Sequence, residues 1–387
     1  MLLSLACLSD TDDDDESSLF RYRLKKQFRI KRVRRISRRA LLDPLETGFI
    51  KLYQSGCTQS MITYTGFDHA SFDALLALFQ PYFNQLTPYS DHGHIRRLRN
   101  SNGRKRKVTA LICLALVLRW TRTKGPLYSL QMDFGMSHSC LILWLRFARR
   151  ILVDILRNNL LSRVRRPTRE EVATNMAAVA LKYPSLPEVW GTADGLNLDI
   201  QSTKDDRVQS MFYNGWTHGH YVSSVLVFGF DGLIKICGLN APGNMHDSLL
   251  ADYAGVYEKL QMVFDETGGK VVVDSAFRMA NNNFIIKSSQ NVPHGNRLAV
   301  RKARDATKLR QSSEWGMGGF QSSFPRTQDE MPLETRGERR LILKLLVYLF
   351  NYRTNVVGCN QIRSTFMPNL EARLLNARSM FTVRRRR

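Results

Sequence analysis

The chain has 387 residues, enough for one large domain and a smaller one. A hydrophobic share of 43% with 10% aromatics supports a buried core and excludes wholesale disorder. Lysine and arginine number 57 against 34 acids, a formal net charge of +23 that calls for a polyanionic partner. The apolar runs, 110–118 among them, fall well short of the ~20 residues that span a bilayer, so DNA or RNA is the expected partner and membrane insertion is not.

Residues 10–16 (DTDDDDE) are acidic, and residues 21–39 then place eleven basic residues in nineteen. This arm, residues 1–60, reads as partly disordered, and Arg29, Lys31, Arg32, Arg34 and Arg35 within it read as DNA-phosphate contacts and a nuclear-import signal. Further basic clusters lie at 96–107 and in a tail at 371–387, which ends in four arginines. Six cysteines, never closer than the 27 positions between Cys113 and Cys140 (140 − 113), form no CxxC zinc pair and read as reduced thiols.

Residues 61–183 read as a helical region. An apolar helix from Val108, a break at Lys124-Gly125-Pro126, a short helix, a stop at Gly135 and a helix opening at Ser137 follow the order of a helix-turn-helix. In that reading Ser137, His138 and Arg146 face DNA while Trp144 and Phe147 turn inward. A plain bundle buttressing the rest of the chain accounts for the same apolar repeat.

Residues 184–370 change texture. Strands are expected at 189–200, 221–230 and 233–239, the last two joined across Asp231-Gly232, then an amphipathic helix over 246–263 capped by Asn244, and a short buried strand at 270–273. The order β, β, β, α, β and further helices describes an α/β, ribonuclease H-like mixed sheet flanked by helices, with a helical, helix-turn-helix-like N-terminal region. Asp194 lies on the first of these strands, and Asp274 ends the fourth, eighty positions later (274 − 194). A central first strand with the fourth parallel beside it sets these carboxylates side by side. Glu314, forty positions further (314 − 274), reads as an acid carried by a helix over the same edge. Attack on a phosphodiester by water or a 3′ hydroxyl uses two hard cations about 3.5 to 4 Å apart, which clustered carboxylates hold.

The segments WGTADGLNL, MFYNGWTHGHYVSSVLVFGFDG, LNAPGNMHDS, VVVDSAF, LRQSSEWGM, FQSSFPR and NYRTNVVGCNQIR resemble, in this order, the DDE endonuclease domain of PIF/Harbinger-like transposases, over about residues 185–365. The resemblance implies that Asp194 in ADG, Asp274 in VDSAF and Glu314 in SEWGM are the catalytic and metal-binding acids, with Mg²⁺ or Mn²⁺ as cofactor. It further implies cleavage at transposon ends and strand transfer into target DNA, in the nucleus, with a Myb-like accessory protein and a homo-oligomer as partners. The chain departs from many relatives in lacking Gly-Asp-x-Gly-Tyr around the second acid, and Gly318-Gly319 soften the helix after Glu314 by roughly 1 kcal/mol each. His246, Asp247 and Arg310 read as supports of the acids: Asp247 begins a helix, where a carboxylate is favoured for structural reasons alone, and Arg310 lies four residues before Glu314.

Two other readings compete with a transposase. A domesticated DNA-binding protein would keep the fold with idle cutting, and a ribonuclease acting on RNA:DNA hybrids would share the metal site but leave the basic arm without a purpose. The arm gives a first prediction. Deleting residues 21–39 should weaken binding to all DNA sequences alike and flatten the slope of log K against log salt by close to one unit for each phosphate no longer engaged, read by fluorescence anisotropy across a salt series. An unchanged slope refutes the arm's role.

Overall fold

The computed structural model describes residues 36–88, 96–97, 106–203, 205–277, 283–287, 296–333, 335–368 and 370–371. The expected arm contacts Arg29, Lys31, Arg32, Arg34 and Arg35, most of the basic cluster at 96–107 and the basic tail beyond residue 371 lie outside the described residues.

Helices α1 (Gly48–Gln54), α2 (Thr58–Thr65) and α3 (His69–Gln85) open the described chain, followed by a two-residue ladder of β1 (Leu86–Thr87) and β2 (Arg96–Arg97). Asp68 caps α3 by accepting from the backbone N–H of Ser71 at 2.7 Å. Packed structure thus begins ahead of residue 61, with Phe49 of α1 already buried. Then come α4 (Ala110–Thr121), α5 (Tyr128–Phe134), α6 (His138–Asn158) and α7 (Arg169–Lys182). Every residue of α4 from Ile112 to Leu118 is buried, as expected of a helix apolar all round that forms the centre of a bundle. A reciprocal capping box between Thr168 and Glu171 opens α7.

The sheet consists of β3 (Val189–Asp199), β4 (Tyr213–Asn214), β5 (Gly219–Gly229), β6 (Ile234–Pro242), β7 (Lys270–Val273) and β8 (Ile285–Lys287). Helix α8 (Asp206–Phe212) precedes β4, while α9 (Asp247–Tyr253) and α10 (Val256–Thr267) precede β7. Helices α11 (Arg297–Ser323) and α12 (Arg336–Val356) follow β8. Across the sheet β6 lies beside β5, β5 beside β3, β3 beside β7 and β7 beside β8; β3 is antiparallel to β5 and parallel to β7, and β7 is parallel to β8. This mixed sheet with helices on both faces is compatible with a ribonuclease H-like fold.

Side chains alternate across β3 and its neighbours. One face, with Leu196, Leu226, Phe228 and Val272, packs against α11, α12 and the N-terminal helices in one core. The other, with Ala193, Val225, Val227, Val271 and Val273, packs against α7, α9 and α10. Helix α12 joins the parts: the Asn351 amide donates to Ile234 O at 2.9 Å and accepts from Ile234 N at 2.8 Å, while Glu338 takes a hydrogen bond from Arg149 of α6.

The structure departs from the sequence reading in five places. The helix expected over 246–263 is two helices, interrupted where Gly255 adopts a left-handed conformation at φ 64°. Residue His246, with no side-chain capping bond, takes the N-cap position expected of Asn244. Strand β8 carries no alternation long enough to be read, and α11 runs through Gly318-Gly319 to Ser323 without a break. In α6, Ser137 and Arg146 are exposed, His138 is half-exposed, and Trp144 and Phe147 are buried. The helix nonetheless lies against α12, with Arg146 Nε 3.8 Å from Glu338 Oε1. That packing supports the buttress and does not show a helix-turn-helix.

Arg149 provides a test of the joint between α6 and α12. Its side chain is 7% exposed, it stacks on Trp120 at 4.8 Å, and burial pushes its pKa down to about 10 against the pull of Glu338. Glu338→Ala strands this buried cation and should cost about 3 kcal/mol in urea unfolding, whereas the double change Arg149→Met with Glu338→Leu should cost much less. Equal losses in the two variants show that packing, and not the ion pair, carries the joint.

Candidate active site

The site begins with a register. Strands β3 and β7 pair in parallel with Thr192 opposite Val272 and Ala193 opposite Val273, so the next residues, Asp194 and Asp274, lie at neighbouring strand positions. Asp194 Oδ1 accepts from the N–H of Gly195 at 2.8 Å, and its Oδ2 accepts from the hydroxyl of Ser313 on α11 at 3.2 Å. Burial pushes the Asp194 carboxyl above its ordinary value, the two donors pull it back, Asp274 raises it and Arg310 lowers it. Asp274 accepts from the N–H of Ser275, whose carbonyl accepts from Lys287 Nζ of β8 at 3.0 Å.

Asp247, the first residue of α9, approaches from the opposite face. A Cβ placed on Gly195 would collide with both Asp247 carboxylate oxygens, so only glycine leaves room for this acid over the strand. Burial, then the charges of Asp194 and Asp274, push Asp247 from 3.8 to about 6, with His246 opposing them. His246 is exposed. Three carboxylates, from β3, β7 and α9, therefore repel one another about a single strand end.

Glu314 stands apart. It follows Ser313 on α11, but its carboxylate is 50% exposed and accepts from Arg310 Nη2 at 2.7 Å. Among the described residues no three His, Cys, Asp or Glu side chains converge tightly enough to hold one ion. The donor chemistry, all carboxylate oxygen, suits a hard divalent cation. Asp194 and Asp274 fit such an ion by position and mutual repulsion; Glu314, held by Arg310, does not in this conformation. The sequence names Asp194 and Asp274, which the strand register sets side by side, whereas Ser313 and Lys287 show no signal until the elements are packed.

Residues 193–351 match the family model described as DDE superfamily endonuclease, a span that starts one residue before Asp194 and takes in Asp247, Asp274 and Glu314. The match supports a DDE-type transposase domain there, and endonucleases of this superfamily generally use divalent metal ions. No curated protein and no solved structure matches the chain. Among the described residues no helix is long and apolar enough to cross a membrane.

Asp247 generates a prediction with a definite sign. Its folded form holds the proton more tightly than the unfolded chain, because its carboxyl is raised from 3.8 to about 6. The stability this contributes is full below about pH 4 and is lost as pH rises through 6. The melting temperature of metal-free protein should therefore fall over this window, and Asp247→Asn should flatten the fall. A fall of the same size in the variant places its origin elsewhere.

Proposed function

We propose that the chain is a divalent-metal-dependent DNA endonuclease and strand-transfer enzyme, a transposase of the PIF/Harbinger-like kind, in which Asp194, Asp274 and Glu314 hold the metal ions. The observation that carries this reading is the parallel register that ends at Ala193 opposite Val273 and so puts Asp194 and Asp274 next to one another, inside the span that matches the DDE superfamily endonucleases. Bound divalent ions would supply Lewis-acid activation of the attacking oxygen and neutralise charge on the leaving one. The chain's own groups do the rest. Ser313 holds the Asp194 carboxylate, Lys287 steadies the turn after Asp274, and Arg310 donates to Glu314 while its charge favours the ionised Asp194.

DNA is the substrate in this reading, as transposon ends and as target. The basic arm supports nuclear import and phosphate contact, a Myb-like accessory protein supplies sequence choice, and Ser137, His138 and Arg146 remain candidates for DNA contact along the exposed edge of α6. His246 and Asp247 support the acids from the α9 face. One observation favours a second reading: Arg310 already occupies the third acid in an ion pair, as in a domesticated DNA-binding protein whose cutting is idle.

A single experiment separates the two. With Mg²⁺ or Mn²⁺ and a DNA substrate carrying the element's ends, the native chain should nick, and Asp194→Asn, Asp274→Asn and Glu314→Gln should each reduce nicking by roughly a hundredfold or more while keeping the melting temperature. Full cutting by Asp194→Asn refutes the assignment. Absence of cutting by the native chain, with DNA binding retained, establishes the idle reading.

A further inference from the structure

Beyond Glu314 the surface of α11 opens into a groove of about 500 Å³ lined by Trp315, Gly318, Gly319 and Ser322 on one wall and by Arg122 and Arg353 on another. Glu314 and Ser323 bound it along α11, nine residues or ~14 Å apart at 1.5 Å per residue. Asn360 and Gln361 complete its polar lining. The groove is thus continuous with the third acid of the site and becomes cationic away from it.

The arginines of the groove are paired differently from their arginine neighbours. Arg119 and Arg326 nearby have carboxylate partners, Asp133 and Asp329, whereas Arg122 and Arg353 meet no carboxylate among the described residues. They converge on Gly66, where an added Cβ would lie 3.3 Å from Arg122 Cδ and 3.8 Å from Arg353 Nε. Burial lowers both pKa values, and Arg353 lowers that of Arg122 further. Their structural duty is clear: Arg122 donates to Thr63 O and Ser323 O, and Arg353 to Gly66 O and Ser323 Oγ, which ties the C-terminal ends of α2 and α11 to α12. Two helix C-termini offer about half a negative charge each against two full positive ones, so about one positive charge is left over. Nη2 of each guanidinium donates to no described residue.

We propose that this groove is an anion seat for a backbone phosphate of the DNA strand passing Glu314, with Arg122 and Arg353 as the donors and Trp315 as a stacking surface for the adjoining base. The proposal rests on the reading of the chain as a DNA endonuclease and adds a second point of hold, outside the metal-binding acids, for the same strand. It gives the uncompensated guanidinium pair a use that helix capping leaves over. It also gives Gly318 and Gly319 one, since they keep the α11 wall low: a Cβ at either would meet nothing within 4 Å.

That open wall allows a test which leaves the arginines and the carboxylates untouched. Gly319→Glu sets a competing anion in the groove and Gly319→Lys a cation; both replace a helical glycine by a better helix former, so both should fold and melt at or above the native temperature. Binding of a fluorescent single-stranded DNA oligonucleotide is measured in EDTA, across a salt series, so that no cutting is needed. Gly319→Glu should weaken binding and flatten the salt slope by about 0.7 for each phosphate displaced from the protein, while Gly319→Lys keeps or strengthens both. Equal affinities and slopes for the two variants overturn the seat, whether or not the chain cuts DNA. The expected contrast in a chain that never cuts supports the seat and removes the endonuclease reading instead.

Discussion

Strand β7 pairs with β3 in parallel, Ala193 opposite Val273, and the residue that follows each of these is an aspartate. This register is the constraint from which the rest of the site is built. Side-chain direction alternates along a strand, so a slip by one residue would turn Asp194 into the face filled by Ala193 and Val225 and bury a carboxylate among apolar groups. Helices on both faces hold the register. On one side α11 brings Ser313 to Asp194; on the other α9 brings Asp247 over Gly195. Each helix delivers its group only because β3 lies centrally between β5 and β7.

Charge is distributed with a strong local asymmetry. A chain of net charge +23 concentrates three mutually repelling carboxylates at one strand end and gives them little cationic relief of its own. Arg310 is divided between Glu314, which it pairs, and Asp194, whose pKa it lowers. Folding therefore keeps an anionic centre within a chain that is strongly basic overall. Elsewhere Lys235 is paired with Asp231 and Glu171, and Arg339 donates to the side-chain oxygen of Asn240.

Much of the sheet was legible because its strands carry strong local signals. The β-branched run 270–273 is the observed strand β7 residue for residue, and Asp231-Gly232 is the turn between β5 and β6. The two aspartates could be placed from strand order alone. What escaped depends on tertiary contact. The break at Gly255 is hidden by an apolar repeat that continues across it; β8 is only three residues long; and α11 survives two adjacent glycines because Leu309, Met317 and Phe320 bury its inner side. The pairing of Glu314 with Arg310 follows their four-residue spacing, but that this leaves Glu314 outside a cluster with the two aspartates depends on tertiary placement. For α6 the sequence offered recognition helix and buttress on equal terms, and contact with α12 weighs toward the latter.

The continuity of the core has a consequence for inheritance and for dissection of the chain. Phe49, Phe72 and Trp144 belong to the same buried cluster as Phe228, Phe320 and Phe350, so among the described residues one core spans the helical region and the sheet. A fragment starting at residue 184 would uncover the side of α12 that α6 now shields, including the environment of Glu338, and should be sticky and poorly soluble. The helical region and the sheet cannot be shuffled as separate modules in recombination. A lineage that keeps this fold for any purpose must carry both, and can gain a further domain only by addition to the folded part, not by exchange within it.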